Sequence, residues 1–468
     1  MLDQEISNLL AYGQSCLLLD ELDCVQAARR ICRLLKIADY SSLAPTEEAE
    51  TATSPNRLLE PLLAYATENN VVGADGVALL KSEILDAIML KPSEVNDLFA
   101  DTYSVNKQKA FDFLYDYSVK SGYVDPEECA KNDRWEAKEL KSKLEIIINV
   151  MPQAKTEKYP LCPLCRENEG FSTRANMRTV SCDIGGEEWT YYYARHQYFD
   201  KHGVLVSAEH VPMKGGLDTV KKLAYAADFI GADGFVGCDS LSENGGAHNT
   251  QHEHFKTGFR TTPMLKQGYK TRYKSQEYPY VEMGTVDWYS TVIRFSHSNF
   301  EKITEFADKL ITAWKGYSDE RIVNDGNKNF VSIVCRKING KYCFDLVLRS
   351  VGMKRPRMAA DYEEVKADAL SITDILGYFV LPNKLSEQLK NAQLYLDGTL
   401  PFDKETKIPL VKTVERLLKA QGGTVSKLEA KLNIHDEIDL VCEKILASTA
   451  IDPASVEQFL ESLGIHKL

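Results

Sequence analysis

The chain has 468 residues, of which 44% are hydrophobic and 26% charged, and its formal net charge is −12. This length is enough for two or three domains with a large buried core. The excess of acidic residues argues against nucleic acid as a main ligand, because binding a phosphate backbone needs a concentrated excess of Lys and Arg.

The sequence predicts neither export nor membrane insertion. The first residues, MLDQEISNLLAYGQ, have no basic segment leading into an apolar core, as signal peptides do. No stretch approaches the apolar length of a membrane span. Eleven cysteines scattered along a long chain are typical of buried thiols in a reducing compartment. We therefore expect a cytoplasmic protein with no membrane partner.

The pattern of apolar residues divides the chain into three regions: a helical region at 1–150, a strand-rich region at 151–382 and a helical region at 383–468. In the first, SEILDAIML and KELKSKLEIIINVM carry apolar residues at three- and four-residue spacing, which predicts helices. From about residue 155, short β-rich runs (TRANMRTVSCDIGG, EEWTYYYARHQYFD and HGVLVSAEH) alternate with turn signals and precede the helical run LDTVKKLAYAADFI.

A second block of strands and helix follows the first. TVDWYSTVIRFS leads into the helical NFEKITEFADKLITAWKGYS and then into FVSIVCRKINGKYCFDLVLRS, where Asn-Gly predicts a hairpin between two alternating strands. The two blocks raise the hypothesis of two related halves. Strands grouped between helical ends predict an α+β fold with an antiparallel sheet.

A cysteine pair opens the strand-rich region. YPLCPLCRENEG places Cys162 and Cys165 in a C-x-x-C turn, which can aim two thiolates at one metal ion. A closed tetrahedral site needs two more ligands, and the candidates are His210, at a predicted strand end, and His252. The alternatives are two packed thiols or a thioredoxin-like pair, although no βαβ pattern surrounds the motif.

Three of the nine histidines lie within seven positions, in NGGAHNTQHEHFKTGF. Three interpretations are open for His248, His252 and His254: a surface loop without a role, metal ligands, or one nucleophile. If HEHF is extended, His252 and His254 share one face. A neutral imidazole attacks phosphorus well when an acceptor fixes its tautomer. Glu253 would point the other way, as a solvated or supporting carboxylate rather than a catalytic base.

Residues near the histidine cluster are candidates for binding phosphate. Glycines allow backbone amides to approach phosphate oxygens closely, and two precede the histidines. We assign substrate binding to this run and to one arginine in the preceding strand-rich segment: Asn244, Gly245, Gly246 and Arg178.

Several of these segments together resemble the galactose-1-phosphate uridylyltransferases of the class found in Gram-positive bacteria, within the histidine-triad superfamily. The chain would be a divergent member of that class. The resemblance is carried in order by FDFLYDYSVKSGYV with KNDRW, by YPLCPLCRENEGF, by GEEWTYYYARHQYFDKHGVLVSAEHVPMK, by HEHF, and by KINGKYCFDLVLR with ILGYFVLPNKL. It implies a histidine-triad-like antiparallel sheet with helices, flanked by helical N- and C-terminal regions, and a homodimer.

The resemblance also implies an activity. His254, the second histidine of H-x-H, would attack the α-phosphorus of UDP-glucose, and galactose 1-phosphate would then take the uridylyl group from the covalent histidine intermediate, as in the Leloir pathway of galactose metabolism. A structural zinc ion would be held by Cys162, Cys165, His210 and His252. The partners would be a nucleotide sugar and a sugar phosphate.

Two departures from the family pattern affect the site. Lys256 stands where the family has a Gln that hydrogen-bonds the phosphoryl oxygen and favours transfer over hydrolysis. A lysine can neutralise an oxyanion as a point charge, and we assign it a catalytic role beside His254. The family's histidine-rich stretch after DLVLR is replaced by RSVGMKRPRMAADYEEVKADALSITD, which contains no histidine.

These departures leave two alternatives. One is a divergent nucleotidylyltransferase, phosphorylase or hydrolase that acts on another nucleotide sugar. The other is a catalytically inactive, zinc-stabilised binding protein. Retained His254 beside retained metal-ligand candidates favours an enzyme.

Overall fold

A computed structural model describes residues 2–137, 140–150, 159, 162–239, 249–353, 365, 370–403 and 410–468. Eight helices precede the first strand: α1 (Asp3–Cys16), α2 (Cys24–Leu35), α3 (Glu47–Thr51), α4 (Asn56–Glu68), α5 (Val77–Asp86), α6 (Pro92–Val105), α7 (Lys107–Lys120) and α8 (Pro126–Ala130). The later helices are α9 (Leu217–Ile230), α10 (Phe300–Gly316), α11 (Ile372–Ile375), α12 (Lys384–Leu396), α13 (Val411–Gln421), α14 (Lys427–Ala447) and α15 (Pro453–Ser462).

The described strands form two sheets. They are β1 (Asp133–Glu136), β2 (Glu145–Asn149), β3 (Val180–Ile184), β4 (Glu187–Tyr193), β5 (Gly203–Ser207), β6 (Phe235–Cys238), β7 (His254–Gly258), β8 (Tyr269–Ser275), β9 (Glu282–Val286), β10 (Val292–His297), β11 (Asn329–Ile338), β12 (Lys341–Ser350), β13 (Tyr378–Pro382) and β14 (Ile465–Lys467). An eleven-stranded sheet has the order β14-β8-β9-β10-β12-β11-β6-β7-β5-β4-β3, and a three-stranded sheet has the order β1-β2-β13.

The large sheet is antiparallel at every recorded strand pair. With helices before and after it, this confirms the α+β fold predicted from the sequence. The predicted hairpin is present, because Asn339 and Gly340 both adopt positive φ between β11 and β12. An Asn-Gly turn of this kind matches the twist of the strands that it joins.

Ten of the eleven strands of the large sheet form two halves with the same topology, and β14 is added at the edge beside β8. In the first, β3, β4 and β5 are followed by helix α9 and by the β6–β7 pair; in the second, β8, β9 and β10 are followed by α10 and by β11–β12. Each half has the spatial order first, second, third, fifth, fourth strand. Strands β6 and β11 join the halves at the centre of the sheet. The hypothesis of two related halves therefore has a structural counterpart.

The two faces of the large sheet are covered differently. Helices α9 and α10 pack on one face, where Phe255, Val236 and Leu346 belong to the main hydrophobic core. The opposite face carries α11 and the small sheet, with a second core that includes Phe379 and Ile372. Side chains that alternate along a strand therefore reach two different environments.

One sequence prediction in the first region is wrong. The segment KELKSKLEIIINVM was predicted as a helix, but its Glu145–Asn149 part is strand β2. Ile146, Ile147 and Ile148 are buried, and β2 pairs on one side with β1 and on the other with β13. A run of β-branched side chains suits a strand enclosed on both sides, and its apolar spacing alone does not distinguish that strand from a buried helix.

The boundaries 1–150, 151–382 and 383–468 remain a prediction. Strands β1 and β2 lie inside the first range, and β2 pairs with β13 of the second. Strand β14 of the third range pairs with β8 of the second. Among the described residues, no helix is both long and apolar enough to cross a membrane.

Candidate functional site

The C-x-x-C turn brings two thiols together in front of β7. Cys165 donates its backbone N–H to the Cys162 carbonyl at 3.3 Å, and the Asn168 side-chain amide donates to the same carbonyl at 2.6 Å. The two Sγ atoms lie 3.3 Å apart. This tight turn fixes both sulfur atoms on one side of the loop.

Two histidines complete the cluster. Nδ1 of His252 lies 3.2 Å from Sγ of Cys162 and 3.5 Å from Sγ of Cys165, and Nδ1 of His210 lies 3.2 Å from Sγ of Cys165. The four candidate ligand atoms all lie within 4.8 Å of one another. The structure thus brings together all four residues that the sequence analysis selected as metal ligands.

The donor set fits a tetrahedral metal ion. Zinc bonds of about 2.3 Å to sulfur and about 2.0–2.1 Å to nitrogen place ligand atoms about 3.3–3.8 Å apart, close to the observed separations. Nε2 of His252 lies 2.9 Å from the Ser207 carbonyl oxygen, so it carries the proton and leaves Nδ1 unprotonated toward the thiols. An acceptor behind a metal-binding imidazole fixes its tautomer in this way.

The Cys165 thiol is protonated when no cation is bound. Burial, and then the hydrogen bond with Cys162, raises the pKa of the Cys165 thiol to about 11. Burial is also the main cause of the lowered pKa of His252. A metal ion that binds here must therefore displace the proton of the Cys165 thiol, which makes its affinity depend on pH.

His254 begins β7, directly after this cluster. Its Nδ1 lies 2.8 Å from the His252 carbonyl oxygen, which can only accept, so Nδ1 carries the proton and Nε2 has the free lone pair. Burial lowers the pKa of His254, and the positive charge of Lys256 lowers it further, whereas Asp239 opposes them. The ring is therefore held neutral with one nitrogen available for attack.

Lys256 shares the face of β7 that carries His254. Phe255, between them, is fully buried on the helix-covered face and stacks on Trp189 at 5.0 Å, so its two neighbours point to the other side. Nζ of Lys256 forms an ion pair with Oδ2 of Asp239 at 2.9 Å. A neutral imidazole and a cation thus lie two residues apart on the same strand face.

Glu253 is not a solvated carboxylate. Its residue exposure is 3%, and its Oε2 accepts from Nζ of Lys222 on α9 at 2.9 Å. Burial raises the pKa of Glu253, and the lysine partly offsets that effect. Glu253 points to the helix-covered face, away from His254, and ties β7 to α9. The prediction that it is not the catalytic base is consistent with this position.

The assigned substrate-binding residues are not brought to this site by the described part of the chain. Arg178 is buried, and its guanidinium donates to the carbonyls of Leu90, Ala175 and Met177 and to Oδ1 of Asp86. It fastens the strand-rich region to the helical N-terminal region. Asn244, Gly245 and Gly246 lie outside the described residues, as does His248.

Sequence reasoning missed Asp239 and the Ser207 carbonyl. Asp239 directly follows β6, and its carboxylate pairs with Lys256 of the neighbouring strand. No spacing rule connects residues 239 and 256, because their proximity depends on how β6 and β7 pair. An isolated Asp directly after an apolar run and before a sequence rich in Gly and polar residues was the available signal.

The chain is similar over nearly its whole length to bacterial proteins that share one name. No protein-family model matches it. It is 28% identical to a galactose-1-phosphate uridylyltransferase of Caldanaerobacter subterraneus subsp. tengcongensis, over 99% of this chain and 98% of that relative. It is 25% identical to galactose-1-phosphate uridylyltransferase 1 of Streptococcus pneumoniae, over 100% of this chain and 99% of that relative.

Two further similarities are shorter or weaker. The Lactococcus lactis galactose-1-phosphate uridylyltransferase is 29% identical over 72% of this chain and 75% of the relative. Among solved structures, yeast Ap4A phosphorylase Apa2 covers 67% of this chain and 96% of its own, with 12% identity and a TM-score of 0.34. That TM-score is too low to support any argument about the fold or the site.

Proposed function

We propose that this chain, a relative of the bacterial galactose-1-phosphate uridylyltransferases over nearly its whole length, transfers a uridylyl group from UDP-glucose to galactose 1-phosphate. It would be a nucleotidyltransferase of galactose metabolism. The observation that carries the proposal is the state of His254, whose Nδ1–H is donated to the His252 carbonyl while Lys256 stands two residues further along the same face. The alignment with the relatives supplies the substrate class.

The chemistry proceeds as two displacements at one phosphorus atom. Nε2 of His254 attacks the α-phosphorus of UDP-glucose, the bond from that phosphorus to the bridging oxygen breaks, and glucose 1-phosphate leaves with the electron pair. An oxygen of the galactose 1-phosphate phosphate then attacks the same phosphorus, which breaks the P–N bond and frees His254. Dividing the transfer into two assisted steps is the advantage of a nucleophilic side chain.

The surroundings of His254 suit this role. The His252 carbonyl that accepts from Nδ1–H stabilises the positive charge that the ring gains when Nε2 bonds to phosphorus. The Lys256 ammonium offsets the negative charge that grows on the phosphoryl oxygens. Burial of His254 keeps its ring neutral before attack.

We also propose that the Cys162, Cys165, His210 and His252 cluster holds a structural zinc ion. With that ion in place, the metal chemistry is that of a closed tetrahedral site that stabilises the fold. The ring of His252 belongs to this cluster, and its carbonyl fixes the tautomer of His254. The metal site would therefore orient the nucleophile without taking part in the reaction.

The experiment that tests the function is a coupled exchange assay with purified protein. Incubation with UDP-glucose and galactose 1-phosphate is expected to give glucose 1-phosphate and UDP-galactose, with parallel double-reciprocal plots typical of ping-pong kinetics. An absence of UDP-galactose at any protein concentration would overturn the proposal.

One observation supports a second candidate, transfer to another acceptor. The site carries a paired lysine, Lys256, where the resemblance leads us to expect glutamine. The same assay with water, inorganic phosphate and other hexose 1-phosphates distinguishes a hydrolase, a phosphorylase and a transferase of different sugar specificity. If one of these acceptors supports turnover more than about tenfold faster than galactose 1-phosphate does, the second candidate replaces the first.

A further inference from the structure

Asp239 connects three parts of the structure at the face that carries His254. Its Oδ2 pairs with Nζ of Lys256 at 2.9 Å, and its Oδ1 accepts the backbone N–H of Ile372, at the start of α11. The Asp239 side chain is 7% exposed and that of Lys256 is 24% exposed. The carboxylate is therefore the more enclosed partner, and the lysine reaches outward from it.

The position of Asp239 follows from strand pairing. It comes directly after Cys238, the last residue of β6, and His254 is the first residue of the neighbouring β7. Gly237, two residues before Asp239, is paired with Lys256. The carboxylate, the ammonium and the imidazole therefore lie together at adjacent strand ends, and all three face the side of the sheet that carries α11.

Because Lys256 and Asp239 carry opposite charges, their pairing keeps the net charge beside His254 small. A phosphate group that approaches His254 meets the Lys256 cation and the Asp239 anion together. A buried carboxylate without its cation is strongly unfavourable, and it also repels an anionic ligand. An ammonium has three rotatable donors on a flexible stem, so its position depends on a fixed acceptor.

We propose that Asp239 is the positioning residue of Lys256 and holds its ammonium beside the nucleophile. The positive charge of Lys256 in turn offsets the charge of the Asp239 carboxylate, so that the site can accept a phosphate group. The inference rests on the proposed function and adds a residue to which neither the sequence motifs nor the family resemblance assigned a role. It predicts that residues 239 and 256 act as one unit. The double variant Asp239→Asn/Lys256→Gln should therefore keep the binding and turnover that each single replacement lowers.

The test is a double-mutant cycle on UDP-glucose binding and turnover. Lys256→Gln leaves the Asp239 charge unpaired beside the phosphates, so we expect a dissociation constant raised at least about tenfold. Asp239→Asn keeps an acceptor for the Ile372 N–H but frees the ammonium, so we expect kcat to fall about tenfold while KM changes less than about threefold. The double variant should return to within about threefold of the wild type.

A matched control distinguishes this role from general loss of an ion pair. Lys337 and Asp228 form another lysine–aspartate pair, between β11 and α9. Asp228→Asn should leave binding and kcat unchanged. If the effects of Lys256→Gln and Asp239→Asn simply add in the double variant, or if Asp239→Asn behaves like the wild type, Asp239 does not act through Lys256 and the proposal is overturned.

A second measurement does not depend on enzymatic activity. Lysines labelled by ¹³C reductive methylation give methyl NMR signals, and that of Lys256 is identified by its absence in Lys256→Arg. The signal should shift in Asp239→Asn and not in Asp228→Asn. If the wild type proves to transfer no uridylyl group, this readout still decides the pairing, and an unshifted Lys256 signal overturns it.

Discussion

His252 takes part in two interactions through different parts of the same residue. Its ring lies in the cysteine–histidine cluster, and its carbonyl oxygen accepts from the His254 ring. The two histidines were identifiable from the sequence because H-x-H spacing and the family resemblance both select them. The pairing of Asp239 with Lys256 was not identifiable, because Asp239 directly follows β6 and Lys256 lies on β7, and only the strand register brings them together.

Removing the metal from the cysteine–histidine cluster should destabilise the protein. The purified protein should carry about one zinc ion per chain, and His252→Ala or Cys165→Ser should lose it with a marked fall in melting temperature, because metal binding contributes to folding free energy. Elemental analysis and thermal unfolding with and without a chelator measure both effects.

The control is Cys129→Ser, a thiol of helix α8 outside the cluster, which should keep the metal. A wild-type protein that contains no stoichiometric metal, and whose melting temperature a chelator does not change, would contradict the prediction.

At the scale of elements, the clearest failure of sequence reasoning is strand β2. Its apolar residues are also compatible with a buried helix. The segment forms a strand because it pairs with β13, which is distant in the sequence, and with β1, which the sequence analysis did not predict. By contrast, α9 was predicted over the same residues that it occupies, since its amphipathic pattern is long and unbroken. The local sequence pattern is enough to predict a long helix, whereas a short strand depends on the strands with which it pairs.

The contact between α14 and β1 gives a pH prediction. Nε1 of Trp135 donates to Oδ1 of Asp439, and the Trp135 ring stacks on His435 at 3.9 Å. Burial raises the pKa of Asp439 from 3.8 to about 6. Because the folded state binds this proton more tightly than the unfolded state, the ionised carboxylate costs stability above pH 6, and the cost disappears as the pH falls toward 3.8.

Asp439→Asn should therefore raise the free energy of unfolding by about 1 kcal/mol at pH 8, a value reduced from the full shift because the carboxyl keeps some access to water. The gain should shrink as the pH is lowered from 7 to 4. Urea unfolding at several pH values measures it, with Glu415→Gln on the exposed face of α13 as the control. A gain that is constant across the pH range would show that the carboxylate is not the cause.

At the scale of the whole molecule, the sheet has two topologically equivalent halves with different chemistry on the same face. The first half carries His254 with the Lys256–Asp239 pair. The second carries Asp345, which is fully buried and bound to Arg294 at 2.5 Å and to Arg336 at 3.2 Å. We infer that the first half holds the reactive site and that the second half is stabilised by this buried cluster.

Asp345→Asn should accordingly destabilise the whole protein. Loss of the carboxylate leaves the guanidinium groups of Arg294, which is buried, and of Arg336, which is largely buried, without their shared counter-charge. This loss costs about 3–5 kcal/mol. Denaturant unfolding measures this loss. Asp287→Asn, which removes the carboxylate of an exposed ion pair with Lys141, should change stability by less than about 0.5 kcal/mol. Equal effects of the two variants would contradict the structural role of the cluster.

Intact-mass measurement can detect the covalent uridylylation of His254 that we propose. Wild-type protein mixed with UDP-glucose, freed of nucleotide and kept at neutral pH should gain the mass of one uridylyl group, and should lose it when galactose 1-phosphate is added. His254→Ala should fold and keep its metal but gain no mass, whereas His466→Ala, an exposed histidine in β14, should behave as the wild type. An adduct that persists in His254→Ala, or that never forms in the wild type, would contradict the account.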